Sequence, residues 1–130
     1  MVNKSKKILT EISAGELLDK ISILEIKLDN IKNVKKLLEV KKEYKSLNET
    51  KKSNIKITQD LQKLINKLKK INMELWVIED KKRMCEKNKD FGSVFVKLAR
   101  NVYINNDKRA GIKSDINKLL GSNIREVKSY

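Results

Sequence analysis

Apolar residues recur along most of this chain three and four positions apart, the period of a helix. The clearest run opens at Ser13. Ser13 and Glu16 have the spacing of a capping box, with Ile12 and Leu17 set as a hydrophobic staple over it. Leu17, Ile21, Leu24, Leu28 and Ile31 then form one stripe, and Ile23 and Ile26 fall away from it. A second apolar face on a helix needs a second neighbour, either another helix or another subunit. Leu37, Val40, Tyr44 and Leu47 mark a second helix. The polar stretch 48–54 reads as a loop. Leu61, Leu64, Leu68, Ile71, Leu75 and Ile78 mark a long third helix with Trp76 beside the stripe. Phe91, Val94, Phe95, Leu98, Val102, Ile112, Ile116 and Leu120 mark a fourth, stopped by Gly121. The predicted helices span 13–31, 34–48, 58–87 and 91–120, with Asp90 as the cap of the last.

The pattern predicts an all-α fold, an antiparallel bundle or long helical hairpin in a single domain. Residues 124–130 alternate weakly, and we expect them to pair in extended form with residues 7–12. A short link makes helices 3 and 4 antiparallel. Levels then sum to about 180 around the turn, which sets Asn72 near Arg109 and Leu75 near Asn105. Glu79, Asn105 and Arg109 occupy positions where the apolar stripe should continue. One polar layer is therefore expected: Asn72, Glu79, Arg83, Asn105, Asn106 and Arg109, with Lys20 and Lys27 at the edge of helix 1. Its first reading is a satisfied network that fixes helix register. The alternative is an inter-helix pocket in which Arg109, Arg83 and Lys27 grip an anion.

Composition narrows the chemistry. The formal net charge is +14, which invites nucleic acid as a partner. Of the basic residues, however, 27 are Lys and only four are Arg, and Lys, Ile and Asn make up 55 of 130 residues. That is the drift of an AT-rich genome, and Lys lacks the planar fork that reads bases or grips phosphate bidentately. Between residues 32 and 70 there are 13 Lys and four acids, read first as a solvated face. There is no His and a single cysteine, Cys85, so the commonest base and metal ligand is missing and no intramolecular disulfide can form. No cofactor or metal is expected, and no nucleophile–base pair can be argued. No apolar run reaches the ~20 residues of a membrane span. The N-terminus does not read as a secretory signal, so a cytoplasmic protein is expected.

Three segments carry a family resemblance. The opening Ser13-Ala14-Gly15-Glu16-Leu17-Leu18-Asp19-Lys20-Ile21-Ser22-Ile23-Leu24-Glu25-Ile26-Lys27 resembles the start of a family of small bacterial proteins of unknown function. The run from Glu74 to Asp80, then Arg83 and Asp90-Phe91-Gly92, is similar to the middle of that family. The run from Leu98 to Tyr103, then Asn106 to Arg109 and the Lys128-Ser129-Tyr130 ending, resemble its C-terminal half. Residues 32–57 carry least of the likeness. The resemblance implies a bacterial or phage origin, an all-helical fold and frequent company with glycosyltransferases. It brings no activity to transfer. Glu16, Lys20, Glu25, Lys27, Trp76, Glu79, Arg83, Arg100, Asn106 and Arg109 fall within the family pattern.

The leading functional reading is a non-enzymatic helical accessory or interaction protein. It binds a protein partner or itself, with Ile23 and Ile26 as the docking face. The runner-up is a small all-α enzyme or sensor for an anionic metabolite. The third is non-specific nucleic-acid binding by the Lys-rich middle.

Overall fold

The computed structural model describes residues 6–129. It contains four helices: α1 (Ala14–Asn30), α2 (Val34–Asn54), α3 (Gln59–Lys87) and α4 (Ser93–Leu120). Each of the first three starts on a polar side chain. The Ser13 hydroxyl accepts from the Glu16 amide (3.2 Å), Asn33 from that of Lys36 (3.0 Å) and Thr58 from that of Leu61 (3.2 Å). The reciprocal half of the predicted capping box is not made, because the Glu16 carboxylate turns to Lys113 instead. Helix α4 starts at Gly92 without a side-chain cap. Asp90 closes the preceding turn, its carboxylate accepting from the Gly92 amide (3.2 Å). At the other end Gly121 takes up the left-handed conformation (φ 64°) that lets the chain leave the helix.

Two expectations are corrected. The stretch 48–54 is helix, not loop. Its polar side chains bond back to carbonyls of their own helix, Thr50 to Ser46 (3.2 Å) and Asn54 to Thr50 (2.8 Å). Lys51 and Lys52 add favourable charge at the C-terminus. The termini do not pair as strands, and no strand occurs among the described residues. They meet by side chains, with Asn123 donating to Glu11 (2.8 Å). The tail lies against α4, where Glu126 pairs with Lys113 (3.6 Å).

Helix α1 is the hub. It packs against α2, α3 and α4, whereas α2 packs on α1 alone. Leu18, Leu61, Leu68 and Ile116 form the buried core, flanked by Ala14, Ile55, Leu64, Ile65, Ile112 and Leu120. Burying each of the four stabilises by about 1.5–3 kcal/mol. Gly15 permits the tightest approach. A Cβ there would lie 2.6 Å from the Lys113 carbonyl oxygen, so α1 and α4 touch backbone to backbone at this level.

Helix α1 is buried on two opposite faces. The stripe of Leu17, Ile21 and Leu24 is one of them. The face towards α3 and α4 is a different set: Gly15, Leu18, Asp19, Ser22 and Ile26. This removes Ile26 from the expected docking face. It is 1% exposed, so it is covered within this chain. Ile23 is half-buried and lines a cleft between α1 and α3.

The α3–α4 hairpin outruns α1. At 1.5 Å per residue, the 29 residues of α3 extend about 43 Å and the 17 residues of α1 about 25 Å. Both start at the same end, where Ala14 and Leu120 flank the core cluster that contains Leu61. At the turn end of the hairpin, beyond the cleft that Ile23 shares with Glu79 and Arg83, Met84, Phe91, Val94 and Val96 are exposed.

Candidate functional site

The centre of the bundle is a carboxylate. Asp19 is fully buried, and three side chains from α3 and α4 surround its carboxylate. Arg109 of α4 reaches it with Nε at 3.0 and 3.1 Å from the two carboxylate oxygens and adds a shorter bond from Nη2. Asn72 of α3 donates Nδ2 to Asp19 Oδ1 (2.8 Å) and to the Ser22 hydroxyl (3.3 Å). Lys113 stands 3.4 Å from Asp19 Oδ2 and 2.7 Å from Glu16 Oε2. One turn towards the start of α1, the Asn117 side chain accepts from the Gly15 amide (2.7 Å), and Ser122 accepts from that of Ala14 (2.9 Å).

The order of these contacts fixes the packing. Asp19 meets Arg109, Glu16 meets Lys113, and Gly15 meets Asn117. Earlier residues of α1 meet later residues of α4, so the two helices run antiparallel. Asn72 and Arg109 share one carboxylate, which sets the register of α3 on α4.

The electrostatics close on themselves. Burial by itself pushes the Asp19 carboxyl up. Bonds from Arg109 and Asn72 and the charges of Arg109 and Lys113 outweigh burial, and the group ends below its ordinary value. The bond to Asp19 holds the Arg109 guanidinium more firmly protonated than usual, against its own burial. Burial works against a charged Lys113, but its bond to Glu16 and the charge of Asp19 raise it overall. Among the described residues no buried side-chain nitrogen or oxygen lacks a partner. A carboxylate locked in its charged form by two cations is a poor proton carrier.

The predicted layer is distributed around this centre. Asn72 and Arg109 belong to it. Asn106 accepts from Arg109 Nη1 (3.4 Å) at the surface. Asn105 is buried, but its amide bonds back to the Asn101 carbonyl (2.8 Å). Glu79 pairs with Lys82 (3.5 Å), and Arg83 is exposed with no side-chain ion pair or hydrogen bond among the described residues. Glu79 and Arg83 line an open cleft of about 340 Å³ with Ile23, Asn72, Leu75, Trp76 and Arg109. Lys20 pairs loosely with Glu16 (3.9 Å), half-exposed. Lys27 lies in a separate groove of about 820 Å³ between α1 and α2, with Ile31, Val40 and Leu47. Of the three cations proposed to grip one anion, Arg83 and Arg109 line one cleft and Lys27 lies outside it. Arg109 is already bonded to Asp19.

Sequence reasoning missed Asp19, Ser22, Lys113 and Asn117. A signal existed. Gly15, Leu18, Asp19, Ser22 and Ile26 follow heptad-like spacing and share one face of α1. That face mixes small, apolar and polar residues, so the all-aliphatic stripe on the other side concealed it.

The fold and its centre define an all-helical protein organised around a buried, neutralised carboxylate. The chain belongs to the DUF6165 family, a family of unknown function whose model matches residues 8–130. No curated protein and no solved structure matches it significantly. Among the described residues no cluster of three His, Cys, Asp or Glu could hold a metal. No described helix is long and apolar enough to cross a membrane.

Proposed function

We propose that this chain is a non-enzymatic helical accessory protein, one domain over residues 1–130, that docks a protein partner or a second copy of itself. The observation that carries this reading is the exposed apolar side chains at the turn end of the α3–α4 hairpin. Met84 (57%), Phe91 (52%), Val94 (59%) and Val96 (52%) are exposed there within one short stretch of chain. Phe91 and Phe95 stack edge to face at 5.4 Å, which stiffens the tip. Exposed apolar side chains this close in sequence offer a partner contact area. In this reading the Asp19 centre fixes helix register and does no chemistry. The resemblance to proteins that accompany glycosyltransferases supports a role beside cell-surface polysaccharide assembly, in the cytoplasm of a bacterium or of a phage-infected cell.

Site-specific photo-crosslinking tests the docking end. A photoreactive residue at Phe91 or Val94 is expected to give discrete adducts in the native host, and one at exposed Lys118 none. Adducts of twice the chain mass identify self-association. No adduct at the tip, or equal adducts at all three positions, contradicts the proposal.

One observation favours a second reading, a small enzyme or sensor for an anionic metabolite. Among the described residues Arg83 has no side-chain ion pair, and it shares its cleft with Trp76. Thermal shift with small phosphates and carboxylates, on this chain and on Arg83→Ala, checks it. Stabilisation that Arg83→Ala abolishes supports the sensor, and no stabilisation removes it.

A further inference from the structure

We infer that the outward flank of α2 is a contact surface for an anionic lipid bilayer. Helix α2 is unusual in this chain. It has no buried residue and packs on α1 alone. It is 21 residues long, about 32 Å, and its lysines are left uncompensated. Among the described residues Lys35, Lys36, Lys41, Lys42, Lys45, Lys51 and Lys52 form no ion pair, although paired lysines occur on every other helix.

Phase sharpens the surface. Val34, Leu38, Lys41, Lys45 and Lys52 fall within about 60° of one another around the helix. All five are exposed, Val34 at 71% and Leu38 at 62%. Glu39 and Glu43 lie on the other flank, and Glu49 alone adjoins the five. The side facing α1 is a separate stripe, with half-buried Leu37, Val40, Tyr44 and Leu47. Two aliphatic side chains beside a row of free lysines are what a helix lying in the headgroup layer presents. The lysines meet lipid phosphates, and the aliphatics enter the acyl boundary. Nucleic acid fits less well. The flank offers no Arg fork and no aromatic for stacking, and exposed Val34 and Leu38 gain nothing from a phosphate backbone.

Vesicle co-sedimentation tests the inference with the full chain. Binding is expected to phosphatidylcholine vesicles that contain phosphatidylserine, not to pure phosphatidylcholine, and to weaken as salt rises. Replacing all three with K41Q, K45Q and K52Q should cost about fivefold per lysine, on the order of a hundredfold together. Leu38→Ser should cost roughly tenfold. All four positions are exposed, and circular dichroism confirms that the helices remain. The inference is overturned by no binding to anionic vesicles at low salt, or by a triple variant that binds as well as the parent. Tighter binding to single-stranded DNA than to vesicles, unaffected by Leu38→Ser, also overturns it and assigns the flank to nucleic acid.

Discussion

Asp19 joins three helices through one carboxylate, and its ionisation ties the fold to pH. The group is held below its ordinary value of 3.8 in the folded protein. The unfolded chain therefore takes up the proton first as pH falls. The stabilisation is complete above about pH 5 and is lost through about pH 4 and below. Lys113 has the opposite sign. It is raised above 10.5, so its share is present at neutral pH and lost only as pH climbs past that value. The melting temperature should be level from about pH 5 to pH 9 and fall in acid. Asp19→Asn should flatten the acid fall, and an unchanged acid limb would refute the assignment. At Gly15 the constraint is steric. The Cβ of Gly15→Ala would meet the Lys113 backbone at 2.6 Å, where no flexible side chain can yield. Chemical denaturation should show a loss of about 1–3 kcal/mol, and a neutral result would mean that α1 and α4 do not pack so closely.

At the scale of elements, periodicity announced all four helices because each carries an apolar stripe at helical spacing. It misjudged where α2 ends, since Asn48 to Asn54 lacks that stripe and holds its helix by back-bonding side chains and lysines near its C-terminus. It marked two apolar faces on α1 without saying which one turns to α3 and α4. Composition cannot tell which of two buried faces meets which neighbour. The polar centre was half legible. Asn72 and Arg109 stood out as polar residues in apolar seams, whereas Asp19 and Ser22 sat on a mixed face that drew no notice. The elements should also differ in local stability. Helix α2, with no buried residue, should exchange its amide hydrogens well before the core turns of α3 and α4 around Leu68 and Ile116. Hydrogen exchange followed by mass spectrometry reads this directly, and equal protection of α2 would show that the groove against α1 binds more firmly than its burial suggests.

The whole molecule is a short hub helix clamped between a long hairpin and a basic outrigger. Its buried charge is neutralised internally, and its unsatisfied surfaces lie at the hairpin tip and along α2. The division of labour rests on one claim, that the Asp19–Arg109 pair holds the helices together and is not kept for a ligand. Removing one partner of a buried pair costs about 3–5 kcal/mol, and the lower end applies because the Arg109 side chain is 26% exposed. A double-mutant cycle in urea unfolding, with Asp19→Ala, Arg109→Ala and the two combined, measures the coupling directly. We expect a coupling of about 1.5–3 kcal/mol, with the double variant little worse than either single one. Costs that add to within about 0.5 kcal/mol would contradict the account.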